Sequence, residues 1–130
     1  MVSRPLRLYE QICATMSVNF MLEFEALNVN KEHLRAAYNL LKLKHPYYRM
    51  KIKVIDDKQH FVEESSDVDD FYCDIYELKD KNELNNWNSR LIKIGCQPRD
   101  HSKSLVYFEL YSVGNYHQLF ACINHAGKFC

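Results

Sequence analysis

The sequence has few residues that interrupt regular structure, and it has no excess of charge. It holds three glycines and three prolines in 130 residues, and 13% of its residues are aromatic, a composition that excludes a disordered or low-complexity chain. Lysine plus arginine and aspartate plus glutamate number 17 each, so no net field favours nucleic acid or an anionic membrane surface. We therefore predict that nucleic acid is not a partner.

Long apolar runs are also missing. No stretch approaches the roughly 18 uninterrupted apolar residues of a membrane-spanning helix, and residues 1–5 lack the apolar centre of a signal peptide. The five cysteines are widely spaced and form no C-x-x-C pair, so they predict reduced thiols. These absences predict a cytoplasmic protein without a membrane span.

The histidines and basic residues give no strong signal for a metal or an anion. His33, His60, His101 and His117 are isolated and have no second histidine one helical turn away, so we predict no metal site. A small basic cluster, consisting of Lys42, Lys44 and Arg49, allows contact with an anionic cofactor tail. A solvated helix face is the interpretation that we favour for this cluster.

Hydrophobic periodicity predicts three helices and about six strands. The first helix follows Pro5 and covers residues 6–13. The second begins at the cap Asn30 and ends before Pro46. The third follows a capping box at residues 80–83 and ends near Gly95. The predicted strands cover residues 18–25, 48–55, 59–63, 71–78, 104–112 and 116–124, with hairpin turns at residues 56–58 and 113–115.

These elements predict a single domain over residues 1–130 of the α+β class. We expect a mixed, mostly antiparallel sheet with about three helices packed on it. Residues 118–123, Gln-Leu-Phe-Ala-Cys-Ile, are apolar on both faces of the predicted strand. This strand should therefore lie in the middle of the sheet.

Three stretches of the chain resemble a known family in the same order. They are the opening Arg-Pro-Leu to Glu at residues 4–10, residues 33–49 with His-Pro-Tyr-Tyr-Arg at the helix exit, and residues 105–125, which end in Asn-His. Together they are similar to the amino-terminal half of the chloramphenicol-acetyltransferase-like superfamily, which includes condensation domains and alcohol O-acyltransferases. The resemblance implies one half of a coenzyme A-dependent acyltransferase fold.

The resemblance also implies a catalytic histidine. In the family, a His-His-x-x-x-Asp-Gly motif follows a buried strand, and its second histidine takes a proton from the attacking hydroxyl or amine. His125 corresponds to that second histidine and Asn124 to the first. Phe129 then stands in the aspartate position and Cys130 in the glycine position. If the loop is two residues longer here, the Asp-Gly pair would instead fall just beyond Cys130.

From this resemblance we expect a fragment or truncated relative of a thioester-dependent acyltransferase. Its substrates would be an acyl thioester, carried by coenzyme A or a carrier arm, and an alcohol or amine acceptor. We expect no tightly bound cofactor and no activity from this half alone. The alternative is a non-catalytic interaction module, and in either case an exposed sheet would favour self-association.

Overall fold

The computed structural model describes residues 3–15, 19–80, 82–83 and 99–124. Two α-helices, seven strands and one 3₁₀ turn lie in these ranges. In chain order they are β1 (Ser3–Pro5), α1 (Leu8–Thr15), β2 (Asn19–Leu27), α2 (Lys31–Lys44), the 3₁₀ turn Pro46–Arg49, β3 (Met50–Ile55), β4 (Lys58–Glu63), β5 (Cys73–Glu77), β6 (Val106–Val113) and β7 (Tyr116–Asn124).

The strands form two sheets. The first has three antiparallel strands in the order β1-β4-β3, and the second has four strands in the order β2-β7-β6-β5. Among the strands in the described ranges, only β5 and β6 pair in parallel. The α+β class and the mostly antiparallel pairing are confirmed, and β7 lies between two strands as predicted. We expected one sheet, because periodicity identifies strands without indicating which strands pair.

The boundaries of α2 follow from its caps. The Asn30 side chain accepts a hydrogen bond from the backbone N–H of His33 at 2.9 Å, which satisfies one of the free donors at the helix start. His45 has an extended backbone, and Pro46 opens the 3₁₀ turn that follows. The predicted cap and the predicted end before proline are both confirmed.

Both predicted hairpin turns are present, and each contains two residues. Asp56 and Asp57 have φ angles of 51° and 63°, the left-handed values that a type I′ turn requires. Gly114 has a φ angle of 57°, where glycine is favoured because it has no Cβ. Each turn is one residue shorter than predicted, since Lys58 begins β4 and Val113 ends β6.

The amino-terminal segment differs from its prediction. Pro5 lies in the short strand β1 opposite His60, and α1 begins at Leu8. A proline fits an edge strand because proline has no backbone N–H to donate, and an edge strand pairs with a neighbour on one side only. The first helix is present, but its proline belongs to the preceding strand.

The third predicted helix, at residues 84–94, lies outside the described residues. Its start is described: Asp80 accepts the backbone N–H of Glu83 at 3.0 Å, and the Glu83 carboxylate accepts the N–H of Lys79 at 2.6 Å. The first bond is the one predicted for the cap Asp80, whereas Glu83 bonds the N–H of the residue before the cap rather than that of Asp80, as a capping box would require.

Two apolar clusters hold the described elements together. One lies between α2 and the second sheet and contains Tyr38, Phe71, Cys73, Val106 and Leu110. The other lies at the first sheet and contains Leu6, Ile52, Phe61 and Leu105. Because Leu105 and Val106 are consecutive, the start of β6 joins the two clusters.

Candidate functional site

The candidate site lies where β7 ends. This strand pairs with β2 along its whole length on one side and with β6 on the other. Asn124 is its last residue and is 0% exposed. Because β7 is paired on both sides and Asn124 is buried, the position of Asn124 is fixed. The chain continues from there to residue 125.

Asn124 is held by hydrogen bonds from both its backbone and its side chain. Its backbone N–H donates to the carbonyl of Leu105 at 2.9 Å, and its side-chain Nδ2 lies 3.0 Å from Nε2 of His101. With Nδ2 as the donor, the imidazole Nε2 is the acceptor, so His101 is neutral in this arrangement.

His101 connects this end of β7 to the first sheet. Its backbone carbonyl accepts a hydrogen bond from the N–H of Ile52 in β3 at 2.9 Å. Its side chain is buried, and burial lowers the pKa of His101 below 6.5, because a charged imidazole loses hydration there. No local pattern singles out His101, since its partner Asn124 is 23 residues away in the sequence.

His125 lies outside the described residues, as do Phe129 and Cys130, which the family resemblance assigns to the aspartate and glycine positions if the loop has the family's length. The role of His125 therefore stays a prediction. What the structure adds is the fixed residue before it, Asn124, at the position of the motif's first histidine.

An apolar cavity of about 250 Å³ lies between α2 and the second sheet. One wall is formed by alternate residues of β7, namely Leu119, Ala121 and Ile123. The opposite wall is formed by residues of one face of α2, namely Leu34, Ala37, Tyr38 and Leu41. The cavity follows β7 toward Asn124, which is the residue directly before the predicted base in the sequence.

The prediction that the basic cluster is a solvated helix face is wrong for Lys42. The Lys42 side chain is 1% exposed, and its Nζ lies 2.6 Å from Oδ1 of Asp70. Lys51 of β3, also 1% exposed, pairs with Oδ2 of the same carboxylate. Burial of two ammonium groups requires a partner of this kind, and the sequence could not show it because Asp70 is 28 residues from Lys42.

Arg49 is also engaged rather than free for an anion. Its guanidinium donates to the carbonyl of Lys42 and pairs with Glu63 at 3.0 Å. These contacts fix the exit of α2 into β3, which is the His-Pro-Tyr-Tyr-Arg stretch. The Arg49 side chain therefore has a structural role in the described part of the chain.

The opening stretch has a similar structural role. Two guanidinium nitrogens of Arg4 donate to the Glu10 carboxylate at 2.9 and 2.7 Å, and Glu10 also accepts the N–H of Arg7 at 2.8 Å. The Arg4 hydrogen bond is the main reason that the pKa of Glu10 is lowered. The ion pair between Arg4 and Glu10 connects α1 to β1.

No model of a protein family matches the chain, and no curated protein matches it. Solved structures do match. The epimerization domain from the third module of tyrocidine synthetase B is 19% identical with a TM-score of 0.69 over 96% of this chain. The condensation domain from the Monacolin K polyketide synthase is 11% identical with a TM-score of 0.64 over 95% of this chain. A third matching structure concerns condensation domain-mediated chain release from the enacyloxin polyketide synthase. It is 10% identical with a TM-score of 0.62 over 94% of this chain.

This chain has a condensation-domain-like fold. It spans 31%, 30% and 27% of those three chains, respectively. The resemblance found in the sequence is therefore confirmed at the level of the fold. At these identities the likeness concerns architecture, and chemistry must be argued from the residues of the site.

Two further findings apply to the described ranges alone. No helix there is long and apolar enough to span a membrane. No group of three or more histidine, cysteine, aspartate or glutamate side chains is arranged there to hold a metal ion.

Proposed function

We propose that this chain is the histidine-bearing part of a thioester-dependent acyltransferase of the condensation type. The observation that carries the proposal is the condensation-domain-like fold, in which the buried central strand ends at Asn124, directly before His125. The acyl donor would be a thioester of coenzyme A or of a carrier arm. The acceptor would be an alcohol or an amine, and the chain would have no metal and no tightly bound cofactor.

The proposed step moves one acyl group and one proton. The acceptor oxygen or nitrogen attacks the thioester carbonyl, a new ester or amide bond forms, and the carbon–sulfur bond breaks. His125 takes the acceptor's proton, and the leaving thiolate then receives a proton from the resulting imidazolium. Histidine suits this role because its ordinary pKa of about 6.5 leaves it largely neutral at cellular pH. Such a base contributes on the order of 10² to 10⁴ in rate.

The same proposal expects the 130-residue chain to be inactive alone. Much of the rate of a two-substrate reaction comes from holding the reactants together, and this chain spans about three-tenths of the condensation domain that it resembles. The remaining part of such a domain would supply the opposite wall of the substrate tunnel. We therefore expect chemistry to need a longer product of the gene or a partner chain.

The test measures thioester consumption and acyl transfer by the 130-residue chain and by the longest product of its gene. We expect thiol release that depends on an alcohol or amine acceptor in the longer product and none in the short chain. His125→Ala should lower the rate at least 100-fold. His117→Ala is the matched control, because this histidine lies on β7, the strand that ends before residue 125, and its Nδ1 is 2.6 Å from Oγ of Ser112. Activity unaffected by His125→Ala, or a longer product without transfer activity, would overturn the proposal.

A second candidate function is a protein-interaction module. It is favoured by β5, whose residues from Asp74 to Glu77 are all exposed and include Ile75 at 46% and Tyr76 at 39% exposure. Among the described strands β5 pairs with β6 alone, and a strand edge with apolar side chains favours association. Analytical ultracentrifugation tests this candidate: a dimer that Ile75→Lys dissociates would support it, and a monomer at all concentrations would contradict it.

A further inference from the structure

The cavity between α2 and the second sheet extends along β7, because three alternate residues of that strand line it. Its β7 wall runs from Leu119 to Ile123, which is about 13 Å at roughly 3.3 Å per residue. With a volume of about 250 Å³, its mean cross-section over that length is about 20 Å². This cross-section admits a single saturated hydrocarbon chain.

The lining gives the chemistry of the ligand. The side chains that line the cavity are aliphatic or aromatic, and two of them are the tyrosines Tyr38 and Tyr48. The Tyr38 hydroxyl donates to the backbone carbonyl of Tyr48 at 3.4 Å. A ligand inside would therefore gain mainly from apolar contact. A dry apolar cavity of about 150 Å³ is sufficient to bind benzene, so the present volume is ample for several methylene groups.

The cavity has an entrance on the helix side. Leu41 is 36% exposed, and Ala37 is also exposed, whereas Ala121 on the opposite wall is 4% exposed. The small side chains of Ala37 and Ala121 leave the space open between helix and sheet. A substitution at position 37 would therefore narrow the entrance without entering the buried core.

We propose that this cavity binds the hydrocarbon tail of a medium-chain acyl thioester. The tail would lie along Leu119, Ala121 and Ile123, and the thioester carbonyl would lie beyond Ile123, at the end of β7 that continues to His125. This inference rests on the proposed acyl transfer and specifies the class of its donor. A straight saturated acyl group of about eight carbons fits the length of the β7 wall.

Binding is measured by isothermal titration calorimetry with octanoyl-coenzyme A and acetyl-coenzyme A as probes for the 130-residue chain. Each buried methylene should strengthen binding roughly fourfold. We therefore expect octanoyl-coenzyme A to bind at least tenfold more tightly than acetyl-coenzyme A. Equal affinities for the two thioesters would overturn the inference.

Two tryptophan variants on one helix form the matched pair. Ala37→Trp should remove the preference for the longer chain, because the indole fills the entrance. Ala36→Trp, at the neighbouring exposed position outside the lining, should keep the preference within twofold. Equal loss in both variants would contradict the inference. Methyl NMR shifts of Ala121 and Ile123 on adding octanoyl-coenzyme A give a second readout that needs no substitution.

His125→Ala separates this inference from the proposed function. Tail binding does not need the imidazole, so the variant should bind octanoyl-coenzyme A within twofold of the unmodified chain. A chain-length preference without acyl transfer by any product of the gene would contradict the proposed function and support the cavity. Acyl transfer without a chain-length preference would support the proposed function and contradict the inference about the cavity.

Discussion

The two sheets are attached to the rest of the molecule by different forces. Every strand of the first sheet carries one side of an ion pair: Arg4 in β1, Glu63 in β4, and Lys51 and Lys53 in β3. The second sheet is attached to α2 mainly by apolar contact, with Tyr38 packed on Phe71 and Phe108. The apolar contact is incomplete, because the cavity lies within it.

The difference teaches which parts of the fold tolerate change. In the first sheet, directional charged contacts add to the apolar cluster around Phe61, and loss of one partner leaves the other charge buried. Apolar packing is less directional, so the second sheet can keep a cavity open beside α2. We therefore expect large effects at the charged contacts and small ones at the cavity wall.

The largest effect is expected at Asp70. Asp70→Ala leaves the ammonium groups of Lys42 and Lys51 buried without their shared carboxylate, and we expect a loss of about 3–5 kcal/mol in the free energy of unfolding. Urea denaturation at pH 7 measures it. The neighbouring Asp69→Ala is the matched control: its side chain is 80% exposed and pairs with Arg35, so it should cost less than about 1 kcal/mol. Similar losses in the free energy of unfolding for both variants would contradict the expectation that the buried charged contact matters more than the exposed one.

The second effect concerns Glu10, which is 2% exposed. Its folded pKa is below 4.5, so its contribution to stability is present above pH 4.5 and is lost as the pH falls through the folded pKa. Glu10→Gln should cost about 1–3 kcal/mol at pH 7, and the difference from the unmodified chain should shrink at pH 3. Glu77→Gln, at an exposed position of β5, should cost less than about 0.5 kcal/mol. A pH-independent cost at Glu10 would show that its charge does not stabilise the fold.

The third effect lies at the contact between the sheets. The pKa of His101 is lowered by burial, so the unfolded chain binds this proton more readily. The contribution of His101 to stability is therefore full above pH 6.5 and is lost as the pH falls below it. His101→Gln should cost about 1 kcal/mol at pH 7.5, where it weakens the bond to Asn124. Between pH 7.5 and 5 this variant should lose less stability than the unmodified chain.

His33→Gln is the control for His101, because it removes an imidazole from an exposed position of α2. It should lose as much stability on acidification as the unmodified chain. If His101→Gln also loses the same amount, burial of His101 is not what couples stability to pH.

The elements that sequence predicts well are those fixed by local rules. Asn30 as a cap, Pro46 after α2 and the turn at Gly114 depend on neighbours within a few residues, and the structure has all three. The features that sequence missed depend on distant partners. Lys42 has the pattern of a surface residue, and its burial requires Asp70, which periodicity cannot supply.

The candidate site divides in the same way. The end of the buried strand at residue 124 could be predicted, because an apolar run ends there. The hydrogen bond from Asn124 to His101 could not, since it depends on how the turn at residues 100–103 folds back onto β7. The cavity could not be predicted either, because it depends on the distance between α2 and the sheet rather than on the polarity of either.

The smallest effect is expected at Ala121, on the cavity wall of the second sheet. Ala121→Val adds two methyl groups to a space that holds about 250 Å³, and valine is favoured in strands. Each buried methyl contributes up to about 0.8 kcal/mol, and contact strain offsets part of it. We expect the free energy of unfolding to rise by about 0.5–1 kcal/mol, whereas Ala36→Val on exposed α2 should lower it slightly. A loss above about 1 kcal/mol at Ala121 would mean that the wall is already closely packed, and the contrast between the two sheets would then fail.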